Sequence, residues 1–227
     1  MTFTDEMLTG KSYQHVVSLY SASSKNHFLH MDVVKPFQEL QKSAGRAGFN
    51  LQPVSCFRDF QRQQTIWNSK FQGLRKVHDD FGNPLDLTTF SEWEKCQAIL
   101  RWSALPGGSR HHWGTEIDIF DPNLLPKNQK LLLEPWEYEK SGYFFELMCW
   151  LQDNLADFDF YFPFLTSSSQ FSIGREPWHI SYLPIASQAN NRFNQEILLQ
   201  SWKNETIEAK NTLIEHLSDI FKCFLVK

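Results

Sequence analysis

Several features that mark particular protein classes are missing from this sequence of 227 residues. No apolar run approaches the roughly 18 residues of a membrane-spanning helix, so we expect no membrane span. Lys and Arg number 22 against 26 Asp and Glu, a balance that gives no indication of a nucleic-acid partner. The first residues lack a basic segment followed by an apolar stretch, which argues against a secretory signal peptide and favours the cytoplasm. A start further upstream would leave the periplasm open.

Cysteine is scarce, with four widely scattered residues and no CxxC pair. This spacing argues against a zinc–thiolate site and favours reduced thiols, although an even number leaves disulfides formally possible. Apolar residues make up 41% of the chain and aromatic residues 15%. That composition supports an ordinary core, and the length favours one domain over residues 1–227 rather than two small ones.

Periodicity and capping signals predict the main secondary-structure elements. Asp59 is typical of a helix cap, and Ser91 with Glu94 three residues later forms a capping-box pattern. We expect helices at about 33–47, 59–71, 91–105 and 141–154, strands at 51–57, 116–120 and within 171–184, and a mainly helical C-terminal extension over 185–227. The strands are few and follow no regular βαβ order. The sequence therefore predicts an α+β domain with a small antiparallel sheet flanked by helices.

The stretch SRHHWGTEID, residues 109–118, concentrates potential metal ligands. His111 precedes Asp118 by seven residues, and Gly114 between them can adopt the positive φ of a tight turn. A catalytic zinc ion usually has three protein ligands and an open position for water. His111 and Asp118 would supply two of the three.

The stretch REPWHI, residues 175–180, offers the remaining groups. His179 is a candidate third ligand, and Glu176 is a carboxylate that could take a proton from a zinc-bound water. Pro177 disfavours helix at Glu176, and a regular strand would send the two side chains to opposite faces. A turn or bulge must therefore direct both into one cleft.

These two motifs, SxHxxGxxxD and ExWH, resemble those of the VanY-type zinc D-alanyl-D-alanine carboxypeptidases, which belong to the hedgehog/DD-peptidase group. The resemblance implies that one zinc ion is bound by His111, Asp118 and His179 and that Glu176 is the general base. SCFRDFQRQ, residues 55–63, is similar to a family segment in which an Arg and a Gln face the cleft, here Arg58 and Gln63. The motif-bearing core runs from about 51 to 183.

The resemblance implies a zinc metallopeptidase that hydrolyses bonds involving D-amino acids in peptidoglycan-derived peptides, foremost as a D-alanyl-D-alanine carboxypeptidase. An L,D-carboxypeptidase, a murein endopeptidase and a non-catalytic zinc-stabilised binding module remain alternatives. Arg58 would stabilise the oxyanion or grip the terminal carboxylate of the substrate. Ser109, Gln63 and Trp178 would contact the substrate, although Ser109 could instead cap a turn. The sequence gives no indication of the oligomeric state.

Two positions depart from the family pattern. Glu116 stands two residues before Asp118, where the family usually has a small residue. It would be harmless on the far face of the sheet but would perturb the ligands if it pointed toward the zinc. Asp59 stands where the family often has Ser, which bears on substrate details more than on metal binding.

Overall fold

The computed structural model describes residues 2–19, 27–166 and 172–225. Phe171, the first residue of the last predicted strand region, lies outside that range, as do the serines at 167–169. The helices are α1 (Asp5–Leu8), α2 (Val34–Arg46), α3 (Phe60–Phe71), α4 (Glu92–Leu100), α5 (Phe145–Asn154), α6 (Leu183–Arg192), α7 (Gln195–Ser201), α8 (Lys210–Glu215) and α9 (Leu217–Ile220). The strands are β1 (Val16–Ser18), β2 (Phe28–His30), β3 (Gln52–Ser55), β4 (Glu116–Phe120), β5 (Phe160–Tyr161) and β6 (His179–Tyr182).

The capping residues fix the starts of α3 and α4 where the sequence predicts them. The Asp59 carboxylate accepts a hydrogen bond from the backbone N–H of Arg62 at 2.6 Å. Ser91 and Glu94 form the reciprocal capping box at the start of α4. These side chains satisfy backbone donors that the first helical turn leaves without partners.

Helix α5 begins at Phe145, four residues later than the expected start at 141. Gly142 donates to the Glu139 carbonyl in a turn. A Cβ at Gly142 would lie 2.1 Å from the Trp136 carbonyl oxygen, so the chain here folds back tightly on the preceding 3₁₀ turn, Pro135–Tyr138. Apolar periodicity alone does not reveal that contact, which delays the start of the helix.

The main sheet has four antiparallel strands in the order β3-β4-β6-β5. Asp118 on β4 pairs directly with His179 on β6, and Glu116 pairs with Ser181. Because side chains alternate along a strand, these four polar side chains project from one face of the sheet. The predicted α+β class with a small antiparallel sheet is confirmed. The separate two-stranded sheet of β1 and β2 was not predicted, since three-residue strands are too short to show alternation.

Two apolar clusters form the core around the main sheet. One joins α3 and α4 to the C-terminal helices and includes Trp67, Ile99 and Trp202; the other packs α2 and α5 against the opposite face of the sheet, through Ile117 and Ile180. The C-terminal helices thus share a core with α3. That the whole chain acts as one domain stays a prediction.

No helix in the described part of the chain has the length and apolar character needed to cross a membrane.

Candidate active-site cleft

A cleft of about 880 Å³ opens where the two apolar clusters meet. Its lining includes Leu100 and Phe224 from the first cluster and Trp178 from the second. The lining also contains most of the sequence-predicted site residues: Arg58, Ser109, His111, Asp118, Glu176, Trp178 and His179. Residues from four separate parts of the chain therefore share one concave surface.

His111, Asp118 and His179 converge inside this cleft. One potential ligand atom from each lies within 4.8 Å of the other two. His111 Nε2 is 3.4 Å from Asp118 Oδ2, and His179 Nδ1 is 3.2 Å from Asp118 Oδ1. The strand pairing of β4 with β6 and the 3₁₀ turn Arg110–Trp113 hold the three side chains in this arrangement.

Hydrogen bonds at the far side of each imidazole determine which nitrogen faces the cluster. His111 Nδ1 lies 2.7 Å from the Cys56 carbonyl oxygen, which can only accept, so Nδ1 carries the proton and Nε2 keeps its lone pair. Burial lowers the pKa of His111 to about 3, which keeps this imidazole neutral. Neutral imidazole is the form that binds a metal ion.

The donor set suits a zinc ion with an open coordination position. Asp118 is buried, yet its Oδ1 atom makes no hydrogen bond with any described residue. Burial raises the pKa of Asp118, but the neighbouring His111, His179 and Arg58 outweigh burial and hold the pKa below its usual value, so the carboxylate is ionised. The ionised Asp118 carboxylate lies between two imidazoles, and its Oδ1 atom is free of hydrogen bonds to described residues. A divalent cation could bind such an anionic oxygen together with two imidazole nitrogens.

A turn places Glu176 beside the three potential ligands. The backbone N–H of His179 donates to the Glu176 carbonyl at 3.1 Å, and Glu176 Oε2 lies 3.3 Å from His179 Nδ1. Burial raises the pKa of Glu176, and Asp118 adds to that effect, whereas His179 and Arg58 lower the pKa. The arrangement supplies a carboxylate close to, but outside, the three-residue cluster.

Arg58 presents its guanidinium group to the cleft. It donates to Gln63 Oε1 at 2.8 Å and to Ser55 Oγ at 3.2 Å, both neutral acceptors. Its backbone is held by the His111 carbonyl at 3.1 Å and by His112 Nδ1 at 2.6 Å. His112 therefore supports Arg58 rather than the metal cluster.

The predicted substrate contacts differ in where they lie. Ser109 and Trp178 line the cleft, and the Ser109 side chain does not cap the 3₁₀ turn that follows it. Gln63 is fully buried and does not line the cleft. Its amide accepts from Arg58 and donates to the Ala104 carbonyl at 2.6 Å, so Gln63 lies behind Arg58. Direct contact between Gln63 and the substrate stays a prediction that this position does not favour.

Glu116 lies on the same face of the sheet as Asp118 but approaches His179 from the other side. Its Oε2 atom is 2.7 Å from His179 Nε2, whereas His179 Nδ1 faces Asp118. Glu116 Oε1 accepts from Ser181 at 2.7 Å and from Arg110 at 3.2 Å. Burial raises the pKa of Glu116, but Arg110 and His179 hold it below its usual range. Glu116 is therefore an ionised neighbour of a potential ligand and is not in the cluster itself.

Among the polar residues of this region that no sequence motif identifies are Lys70, Ser103 and Arg110. Lys70 and Ser103 line the cleft, and Arg110 donates to Tyr161 at 2.8 Å and to Ser181 at 3.0 Å. Lys70 could have been found, because it follows Gln63 by seven residues on α3 and seven residues are two helical turns. Nothing in the sequence signals Ser103.

The chain is similar in sequence to known proteins. A family model described as VanY, D-alanyl-D-alanine carboxypeptidase, matches residues 26–185. Two uncharacterised proteins of Haemophilus influenzae strain Rd are similar to this chain. One is 57% identical over 122 residues, which are 54% of this chain and 93% of that protein. The other is 64% identical over 105 residues, which are 46% of this chain and 72% of that protein.

Solved structures show the same fold. VanYB in complex with D-alanine-D-alanine is 21% identical with a TM-score of 0.51, covering 83% of this chain and 87% of that one. A variant of the vancomycin resistance D,D-pentapeptidase VanY in complex with Zn(II) is 20% identical with a TM-score of 0.52, covering 85% and 93%. The LdcB LD-carboxypeptidase is 18% identical with a TM-score of 0.51, covering 86% and 79%.

Proposed function

The chain belongs to the VanY family of D-alanyl-D-alanine carboxypeptidases, and we propose that it is a zinc-dependent peptidase that removes a terminal D-alanine from peptidoglycan peptides. The observation that carries this proposal is the convergence of His111, Asp118 and His179 in one cleft with the Glu176 carboxylate beside them. Relatives in complex with Zn(II) and with D-alanine-D-alanine support the choice of metal and ligand.

His111 Nε2, His179 Nδ1 and an oxygen of Asp118 would hold the zinc ion. Bound there, zinc polarises a peptide carbonyl and lowers the pKa of water toward about 7. The buried hydrogen bond from His111 to Cys56 and the contact of His179 with Glu116 keep both imidazoles turned toward the ion.

Glu176 moves the proton. Its carboxylate takes a proton from the attacking water as the water oxygen bonds to the peptide carbon. When the carbon–nitrogen bond breaks, Glu176 gives that proton to the leaving amine of D-alanine. The raised pKa that burial gives Glu176 suits both halves of this transfer.

Arg58 stabilises the negative charge that develops on the peptide oxygen. Its guanidinium is held by Gln63 and Ser55, and no described carboxylate forms an ion pair with it, so its charge remains available to a substrate. A preorganised cation of this kind acts on the transition state without reorganising first. Ser109 and Trp178 would border the bound peptide.

The test is incubation of zinc-loaded protein with tetrapeptide, pentapeptide and cross-linked muropeptides, followed by mass analysis. Loss of one D-alanine from the pentapeptide alone is the expected result. Loss from the tetrapeptide would indicate an L,D-carboxypeptidase, and cleavage of the cross-link an endopeptidase. If none of the substrates is cleaved, the remaining interpretation is a non-catalytic zinc-stabilised binding module.

A pair of variants assigns the chemistry to Glu176. Glu176→Gln should abolish hydrolysis while zinc stays bound. Glu139→Gln is the matched control, because Glu139 also lines the cleft but pairs with Arg175 at 2.6 Å. Equal activity in both variants would contradict the role of Glu176.

A further inference from the structure

Lys70 lies on the cleft-facing side of α3. Gln63, Ile66, Trp67 and Lys70 follow the i, i+3, i+4, i+7 spacing of one helix face. Gln63 and Trp67 are buried, while Ile66 and Lys70 line the cleft. Lys70 follows Gln63 by about 10 Å along the helix axis, at 1.5 Å per residue. The helix that supports Arg58 through Gln63 thus carries a second cation further along the cleft.

The segment after α4 runs beside this helix face and gives Lys70 its partner. Gln63 Nε2 donates to the Ala104 carbonyl at 2.6 Å, and Lys70 Nζ donates to Ser103 Oγ at 2.7 Å. Ser103 and Ala104 both line the cleft. The ammonium and the hydroxyl therefore form an adjacent pair on the cleft wall.

The hydrogen-bond partner of this ammonium is a neutral hydroxyl rather than a carboxylate. Among the residues that the structure describes, no ion pair includes Lys70. A half-buried ammonium has lost part of its hydration, and a single hydroxyl replaces little of it. An anion that enters the cleft would complete the coordination of Lys70.

The two cations face different parts of the site. Asp118 and Glu176 are the carboxylates whose charges act on Arg58, which places Arg58 beside the metal cluster. The charges that act on Lys70 are those of Glu176, Arg58 and Arg75, whereas Asp118 acts on Arg58. In a substrate that loses one D-alanine, the terminal carboxylate lies one residue beyond the peptide bond that breaks, about 3.6 Å of extended chain.

We propose that Lys70 and Ser103 form the subsite for the terminal carboxylate of the substrate. The proposal rests on the proposed function and gives the two cations separate tasks: Arg58 at the reacting carbonyl and Lys70 at the chain end. A carboxylate bound by Lys70 Nζ and Ser103 Oγ directs hydrolysis to the last bond of a peptide. When an internal peptide bond lies at the reacting position, the substrate has no carboxylate beside Lys70, and the ammonium remains without an anion.

The experiment compares a pentapeptide ending in D-alanyl-D-alanine with its C-terminal amide. Zinc-loaded wild type should prefer the free acid, and Lys70→Met should lower kcat/KM for the acid by about 10- to 100-fold while leaving the amide unchanged. Lys70→Arg should restore part of the preference. Lys35→Met is the control, because Lys35 is 86% exposed on α2. Equal losses on acid and amide, or no loss on the acid, would overturn the proposal.

A binding measurement separates this inference from the proposed function. Titration of zinc-loaded Glu176→Ala with both peptides should show tighter binding of the acid, and adding Lys70→Met should remove the difference. If wild type hydrolyses neither peptide but this difference is found, the carboxylate subsite stands and the peptidase assignment fails. If the peptides bind equally with Lys70 intact, the subsite is wrong even where hydrolysis occurs.

Discussion

Glu116 Oε2 lies 2.7 Å from His179 Nε2, on the opposite side of the imidazole from Asp118. A carboxylate in this position holds a proton on Nε2 and makes Nδ1, which faces Asp118, the nitrogen that would bind a metal ion. Arg110, 3.2 Å from Glu116 Oε1, balances the buried charge. The residue that departs from the family pattern thus contacts a potential metal ligand, His179, on the side away from Asp118.

We expect Glu116→Gln to weaken zinc binding by about 10- to 100-fold, because the amide orients His179 less strongly and makes it less basic. Competition with a chromophoric chelator measures the zinc Kd. Asp121→Asn is the control: Asp121 is equally buried and accepts from the Asn50 N–H at 2.8 Å, away from the cleft. Unchanged zinc affinity in Glu116→Gln would show that Glu116 does not position His179.

Arg58→Met should lower kcat by about 100- to 1000-fold with little change in KM, since its charge acts on the transition state. Steady-state kinetics on the free-acid pentapeptide measures both constants. Arg62→Met, on the exposed side of α3, should leave them unchanged. A rise in KM with constant kcat would assign Arg58 to the substrate carboxylate instead.

KM for the free-acid pentapeptide should rise as the pH passes through about 8. Burial lowers the pKa of Lys70 from 10.5 to about 8, with Arg58 and Arg75 lowering it and Glu176 raising it. Lys70 is therefore a cation below that pH and neutral above it, where it no longer attracts a carboxylate. The C-terminal amide and the Lys70→Met variant serve as controls, and neither should show this rise. The same rise with the amide would point to another group.

Gly114→Ala should reduce the free energy of unfolding by more than Gly73→Ala. Both glycines have positive φ, +70° and +74°, which costs an alanine about 1–2 kcal/mol. A Cβ at Gly114 would also lie 2.7 Å from the backbone nitrogen of His30, whereas a Cβ at Gly73 would meet nothing within 4 Å. Urea unfolding of both variants measures the difference. Equal losses would mean that the turn after His111 can shift without cost.

Local signals were sufficient to predict much of this fold. Asp59 and the Ser91–Glu94 box predict the starts of α3 and α4, because capping depends on residues within one turn. Alternation along β4 likewise puts Glu116 on the face of Asp118, which excludes the far face that would have made Glu116 harmless. The contact of Glu116 with His179 depends on the register in which β4 pairs with β6, and no local pattern in the sequence predicts that register.

The motifs predicted which residues share the cleft better than what each one contacts. His111, Asp118, Glu176 and His179 converge as expected, and their roles remain predictions. Gln63 matches the family segment but is buried behind Arg58, because the Ala104 carbonyl from a distant segment holds its amide. Such long-range contacts have no signature in a single sequence.

The most direct test is an anomalous difference map at the zinc absorption edge from crystals of zinc-loaded protein. We predict one peak, about 2.0–2.2 Å from His111 Nε2, His179 Nδ1 and an oxygen of Asp118. Glu176 should lie near the peak without binding it. No peak between these three side chains, or a peak bound by other residues, would contradict the account.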